Sequence, residues 1–475
     1  MKNKVLAILL VLALIKGIVW MLMTPIFQVP DESSHFSIIQ IIAETGKRSH
    51  PRRERVTSKE LMTVSQTVGF NWEINHPVWQ GYADNWQKQI SQVPNEWRNS
   101  FVQNQYQTSL KRPPLYYWLA TPFYLIFHQQ SFLFRFFSVR FLSVLISLMT
   151  VYFVFRLSQL VFKSKSLCLA VVCLVIFQPM FSFINIGVHY DSLVILTATI
   201  FLYLGAKYLR SRKKKYLYWN LIIGLMGLLI KPDLIVLLLV SPLLFPKKKL
   251  KVVIPVALGI LILLITLPKI LISGMRINQI FIDKFRYLIN FNEYSSNFDR
   301  LSRILISGQF LPQLRDYLVN TWQMHLAQIF PWYWGVFGWL EKVMPAFVYQ
   351  GLKIVILVSL IGWLRFTYRQ IKKPSFSKAT LKIIKFLVFS TIAHLGLVIL
   401  NDFRFFTVSG INYGIQGRYL LPFISVHMIL LVLGLSQLVS EKHYRVLAIG
   451  LIIFSFSLNL AGLFSLYQYF GWVWL

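Results

Sequence analysis

The sequence is poor in acid: 17 Asp and Glu stand against 49 Lys and Arg, and charged residues of both signs make up only 14% of the chain. Soluble domains carry charge at roughly one residue in four, so a mainly water-facing chain is excluded. Cysteine is almost missing. Cys168 and Cys173 both lie inside one apolar run with no ligand-rich neighbours, which implies no disulfide framework and leaves them as packing residues. Internal repeats are absent, and so is low-complexity sequence beyond short basic loops.

What is abundant is apolar. Hydrophobic residues make up 56% of the chain and aromatics 16%. VLAILLVLALIKGIVWMLM near the start, VIPVALGILILLITLPKILI after Lys251 and VLAIGLIIFSFSLNLAGLFSL near the end are each long enough for a hydrocarbon core of about 30 Å. Such runs recur along the whole chain and leave no room for a sizeable soluble domain. The opening MKNK plus apolar stretch has the outline of a signal peptide. Lys16, the continuation to Phe27 and the lack of a small-residue cleavage site predict a retained anchor instead.

The formal charge of +32 would suggest nucleic acid in a soluble protein, but the cations sit in short clusters between apolar runs. Arg210, Arg212, Lys213, Lys214 and Lys215 form one; Lys247, Lys248, Lys249 and Lys251 another; Arg369, Lys372, Lys373 and Lys378 a third. Clusters of this kind hold loops on the cytoplasmic side beside anionic lipid, and no nucleic-acid partner is implied.

The stretch PPLYYWLATPFYLIFH, Pro113 to His128, decides the topology. Counted as a span, it would put the three clusters, and Lys163 with Lys165, outside; left at the interface, it puts all four inside. It is also short, interrupted by Pro122 and rich in Tyr, Trp and Phe, as interfacial helices are. The expectation is an all-α polytopic inner- or plasma-membrane protein of about eleven spans, with the N-terminus cytoplasmic and the C-terminus extracytoplasmic. The spans fall near 5–26, 138–157, 166–186, 192–209, 217–230, 232–246, 252–273, 347–366, 381–400, 418–438 and 445–467. The chain then forms a single membrane domain with two long extracytoplasmic loops, 27–137 and 274–345, that carry juxtamembrane helices. FSIIQII in the first and PWYWGVFGWL in the second read as helices in the headgroup layer.

In so acid-poor a chain, two adjacent carboxylates directly after the first span stand out. In VPDESSHF, Asp31 can cap a helix whose first turn projects Glu32 and His35. Both acids could simply cap and solvate that helix, or one could be a general base poised by partial burial. Lys111 and Arg112, followed by Pro113, Pro114, Leu115, Tyr116 and Tyr117, suit either a lipid-linked phosphate or plain anchoring by cations and aromatics. His189, Tyr190 and Asp191 (GVHYDSL), Lys231 before Pro232, and Gln416, Gly417, Arg418 and Tyr419 (QGRYLLP) all fall on the same outer side. Ionisable groups at the rim of a bundle are expensive and tend to mark substrate paths.

This ordered set resembles the GT-C superfamily of membrane glycosyltransferases, and particularly an uncharacterised bacterial family of predicted membrane proteins related to it. The resemblance runs through VPDESSHF, KRPPLYYW, VRFLSVLISLMTVYFVFRL, FQPMFSFINIGVHYDSL, LLIKPDL, FPWYWGVFGWLEKVMP and QGRYLLPF, nearly the full chain. It implies a GT-C-like helical bundle and a polyprenyl-phosphate-linked sugar as donor, with transfer on the extracytoplasmic face to an envelope glycan, lipid or protein. On that resemblance Asp31 or Glu32, near His35, takes the acceptor's proton, and Arg112, with Lys111, Lys231 and Arg418, holds the donor phosphate. Tyr116 and Tyr117 line the donor groove, Asp191 orients the sugar or the base, and His189, Gln416 and Tyr419 complete the substrate site. Many relatives begin the second motif with His where this chain has Lys111 and Arg112, which puts acid–base chemistry there in doubt. With no Asp-x-Asp pair, no metal and no cofactor are expected. A transporter or flippase of lipid-linked saccharides, or a non-catalytic assembly protein, is the alternative; the former should show paired repeats and polar helices at mid-membrane.

Overall fold

The computed structural model describes residues 2–46, 56–71, 76–103, 113–245, 307–372, 376–409 and 415–471. In chain order the helices are α1 (Lys2–Met23), α2 (Glu32–Thr45), α3 (Lys59–Thr67), α4 (Trp86–Ser91), α5 (Leu115–Ile126), α6 (Phe132–Val161), α7 (Lys165–Ile176) and α8 (Pro179–Ile184). They continue with α9 (Asp191–Ser211), α10 (Lys214–Leu228), α11 (Ile235–Val240), α12 (Phe310–Trp334), α13 (Ala346–Lys372), α14 (Lys378–Ser409), α15 (Ile424–Ser436) and α16 (Tyr444–Phe470). Strands are confined to three two-stranded pairs among the described residues. The chain is an all-α, multi-pass membrane bundle.

Seven helical stretches among the described residues are long and apolar enough to cross a bilayer: Lys4–Met23, Phe132–Val161, Asp191–Ser211, Ala346–Lys372, Lys378–Thr407, Gly417–Ser436 and Glu441–Phe470. Three expected spans are shorter or broken. The one near 166–186 is split into α7 and α8, because Pro179 has no N–H to continue α7 and pushes Gln178 into an extended conformation. Gln178 offsets the break, accepting from the Phe181 N–H and donating to the Tyr333 carbonyl. The span near 217–230 is the 15-residue α10. The one near 232–246 is a short apolar helix, Pro232–Leu244, with α11 at its centre and a 3-10 turn at each end. The span expected near 252–273 lies outside the described residues, as does the start of the expected loop 274–345.

At 12 residues α5 covers about 18 Å, too little to cross. It packs on α2 and α6 as a short helix beside the bundle. Two interfacial expectations need correction. FSIIQII lies in α2, whose residues Glu32 to Ile41 are buried on every side, so α2 is an internal helix. PWYWGVFGWL is not one helix: PWYW ends α12, and the chain turns at Gly335 into a hairpin pairing Val336–Phe337 with Lys342–Val343. That hairpin closes over the chain leaving α1, since Trp339 Nε1 donates to the Phe27 carbonyl at 2.7 Å.

Two arginines inside α6 fix the segment between α1 and α5 to the bundle. Arg140, fully buried, grips the Glu32 carboxylate with Nε at 2.8 Å and Nη2 at 2.7 Å. Its remaining donors meet the carbonyls of Met21, Thr24 and Pro25, which the end of α1 leaves without helical partners. One turn earlier, buried Arg135 pairs with Glu60, whose other oxygen accepts from Gln40 Nε2 at 2.7 Å. On the far side, α13 and α15 cross with backbones in contact: a Cβ on Gly362 would overlap the Gly434 carbonyl, the close approach that small residues allow between membrane helices.

Candidate active site

The segments that meet at one end of the bundle are the α1–α2 turn, the start of α9, the residues after α10 and the 3-10 segment Gly417–Phe423. Asp31 occupies the N-cap position of α2, but its side chain makes no capping bond. With φ 66° it adopts the left-handed conformation, uncommon for a side-chain-bearing residue. The half-buried carboxylate approaches His189 Nε2 at 3.8 Å and Arg418 Nη2 at 3.6 Å. Burial opposes its charge, yet the neighbouring His189 imidazole and Arg418 guanidinium outweigh burial and hold the carboxyl below the ordinary carboxylate range.

Asp191, the first residue of α9, lies 3.7 Å from Lys231 Nζ and 3.4 Å from His189 Nδ1. That same Nδ1 accepts the Asp191 backbone N–H at 3.0 Å, which turns Nε2 toward Asp31. Lys231 also approaches Asp233 at 3.7 Å and sits over the rings of Tyr190 and Tyr419. Burial works against its charge, but the Asp191 carboxylate prevails and keeps the ammonium above its ordinary range. Arg418 Nε donates to Gln416 Oε1 at 2.6 Å, and its guanidinium lies over Tyr419. Its Nη1 is buried and has no hydrogen-bond partner among the described residues.

His35, one turn into α2, completes the floor. Its Nδ1 meets the Tyr117 hydroxyl at 2.7 Å, and its ring packs edge-on against His189 and Tyr190. Tyr116 and Tyr117 are both buried. The diproline segment is tied to the end of α10 by the Leu115 N–H to Leu229 carbonyl bond, 3.0 Å. Lys111 and Arg112 lie outside the described residues.

Asp31, His35 and His189 offer one oxygen and two nitrogens within 4.8 Å of one another, close enough for a divalent metal. One feature acts against that use: Arg418 and Lys231 already surround the carboxylates with positive charge.

The structure thus gathers Asp31, His35, Tyr117, His189, Asp191, Lys231, Gln416, Arg418 and Tyr419 and separates Glu32 from them. Both Glu32 oxygens are taken, by Arg140 and by the N–H groups of Val188 (2.9 Å) and Val29 (3.4 Å), and the side chain is fully buried. The expectation that either acid could serve as base is narrowed, because Glu32 has no free lone pair facing the site. Sequence reasoning passed over Arg140 and Asp233. A lone Arg within the apolar VRFLSVL was the available signal, since such a cation requires a buried partner.

Gly417 sets the position of Arg418. A Cβ there would overlap backbone atoms of Ile329, Trp332 and Tyr333 in α12. Gly417→Ala is expected to push the 3-10 segment off α12, costing about 1–3 kcal/mol of stability, which thermal unfolding in detergent checks.

A comparison with curated proteins finds no match. Among solved structures the chain is similar to ArnT from Cupriavidus metallidurans, crystallised with undecaprenyl phosphate, at 12% identity and TM-score 0.40, covering 99% of this chain and 76% of that one. It is also similar to the Archaeoglobus fulgidus oligosaccharyltransferase, crystallised with a tethered acceptor peptide, at 13% identity and TM-score 0.43, covering 98% of this chain and 55% of that one. The family described as predicted membrane protein (DUF2142) matches residues 14–427, and the chain belongs to that family.

Proposed function

We propose that the protein is an integral-membrane glycosyltransferase that moves a sugar from a polyprenyl-phosphate donor to a cell-envelope acceptor on the extracytoplasmic face. The observation that carries this reading is the buried Nη1 of Arg418, which has no hydrogen-bond partner among the described residues, on a guanidinium whose Nη2 lies 3.6 Å from Asp31 and which shares the Tyr419 ring with Lys231. A buried guanidinium nitrogen without an acceptor is costly, and a ligand phosphate supplies that acceptor.

In this mechanism the donor phosphate binds Arg418 and Lys231 and draws both cations away from Asp31 and Asp191. Asp31, relieved of its counter-charge, becomes more basic at the moment substrate is present. It takes the acceptor's proton as the acceptor oxygen attacks the anomeric carbon. The bond from that carbon to the phosphate oxygen breaks, and polyprenyl phosphate leaves with its added negative charge on the two cations. Asp191 holds Lys231 and His189 in place, Tyr117 orients His35, and Tyr116 and Tyr419 wall the groove. Lys111 and Arg112 enter the proposal as further phosphate ligands from sequence alone. Glu32 has a structural part only, and no metal takes part.

The polyprenyl chain has a place to lie. A largely apolar cavity of about 650 Å³ is bounded by Phe330, Leu360, Trp363, Leu420 and Leu431. Leu420 is two residues from Arg418 on the same 3-10 segment, so one short element offers both a cation and an apolar wall.

The test is reconstitution in proteoliposomes with a panel of labelled polyprenyl-phosphate sugars. Label should move to an acceptor fraction, and Arg418→Ala should weaken donor affinity about 10- to 100-fold, the worth of a charged hydrogen bond. No transfer from any donor, together with donor affinity indifferent to Arg418→Ala, would sink the reading.

A further inference from the structure

The opposite end of the bundle holds a second concave site. Asp191 and Arg210 stand at the two ends of α9, separated by about 28 Å along the axis at 1.5 Å per residue. Around Arg210 the ends of α6, α9, α13 and α15 and the starts of α7, α14 and α16 enclose a cavity of about 1260 Å³. Seven cations line it: Arg156, Lys163, Lys165, Lys207, Arg210, Arg365 and Arg369. Glu441 is the one carboxylate in the lining. None of the seven makes an ion pair among the described residues.

Like charges on free loops would spread apart, so their convergence has to be held by the fold. Arg210 Nη1 donates to Thr380 Oγ1 at 2.9 Å, which ties α9 to α14, and Arg156 Nη1 donates to the Tyr152 hydroxyl at 2.8 Å. Between the cations the wall is apolar, with Phe155, Leu160, Phe162, Leu169 and Tyr203 in the same lining. Hydroxyls of Ser164, Ser377, Thr380 and Ser440 add neutral donors.

We propose that this cavity binds the phosphate headgroup of an anionic phospholipid from the leaflet opposite the candidate active site, with the apolar wall taking the start of its acyl chains. The shared chemistry with a soluble phosphate is the anion. The apolar lining, set among the ends of membrane-crossing helices, favours the lipid source, as do basic pockets between membrane helices in general. A loop cluster that served only to orient the chain would need charge alone, with neither a cavity nor an apolar wall. The cavity's charge owes nothing to the chemistry at the other end, so this site and the transferase reading stand or fall separately.

The test is a thermal-shift titration of the purified full chain in mixed micelles, with phosphatidylglycerol, phosphatidylcholine or inorganic diphosphate added. Phosphatidylglycerol should stabilise saturably and phosphatidylcholine should not. Arg210, Arg365 and Arg369 are exposed, so Arg210→Gln/Arg365→Gln/Arg369→Gln should fold and bind phosphatidylglycerol about 10-fold more weakly or less. The control Lys213→Gln/Lys214→Gln/Lys215→Gln removes three exposed cations outside the cavity and should change affinity less than about two-fold. Equal weakening in the two triple variants would mean general surface charge and overturn the site. A shift by diphosphate equal to that by phosphatidylglycerol would overturn the lipid source.

Discussion

Arg140→Met should be the most damaging single substitution for folding, with a loss of about 3–5 kcal/mol, because it strands the buried Glu32 carboxylate without its counter-charge. The loss goes beyond the pair. The same guanidinium binds three carbonyls at the end of α1, so α1, α2 and α6 loosen together. Glu32→Gln should be milder, since the amide still offers one acceptor to Arg140 or to the Val188 N–H. The double variant Glu32→Gln/Arg140→Met removes both charges and should recover a good part of what Arg140→Met alone loses. Thermal unfolding and size-exclusion profiles of the four proteins complete the cycle. Additive losses in the double variant would mean that the two side chains act independently, against the geometry described here.

The largest effect on activity is expected from Asp31→Asn. Removing a general base typically lowers the rate by about 10²–10⁴-fold. The carboxylate is half-buried and caps nothing, so the variant should insert and fold, with a modest loss of stability from the lost Arg418 and His189 contacts. A fall in kcat with donor KM little changed would identify a proton acceptor; a rise in donor KM alone would make Asp31 a mere counter-ion to Arg418. The pH dependence follows from the lowered pKa. A depressed folded-state value means that the stabilisation Asp31 gives is fully present above the ordinary carboxylate pKa of about 4 and is lost only as pH falls toward the folded value. The stability difference between the parent and Asp31→Asn should therefore stay constant from pH 5 to about 7.5, as melting curves across that range would show. A difference that shrank between pH 7 and 5 would contradict the Arg418 and His189 contacts.

Many helices could be read directly because lipid imposes a simple rule: an apolar run long enough to cross must satisfy its own backbone as a helix. The runs near 138–157, 192–209 and 445–467 became α6, α9 and α16 on that basis, α6 ten residues longer than the apolar core alone and the other two three and four residues longer. The short α5 followed from charge bias combined with its Pro122 and aromatics. The rule weakened where sequence-local chemistry interrupts it. Pro179 split one span, and the Pro232–Leu244 stretch became a helix too short to cross, with 3-10 turns at its ends. PWYWGVFGWL defeated it because aromatic content marks an interface without specifying a backbone, and the turn there is carried by Gly338, Trp339 and Leu340, all with positive φ.

The candidate site divided in the same way. Hydropathy and scarcity of acid were enough to single out Asp31, His189, Asp191, Lys231 and Arg418, because a charge at the rim of an apolar bundle is improbable without a use. Neighbouring residues were beyond that reach. Asp31 and Glu32 are adjacent and chemically alike, yet the left-handed turn at Asp31 sends one carboxylate toward Arg418 and the other into the bundle toward Arg140. Composition by itself determined that this chain lives in lipid, as a helical bundle with its few acids in a handful of places. Which acid lies beside Arg418 and which holds three helices together was decided by the packing of segments more than 100 residues apart, since ion pairing depends on distance in space and the order of residues along a chain does not encode it.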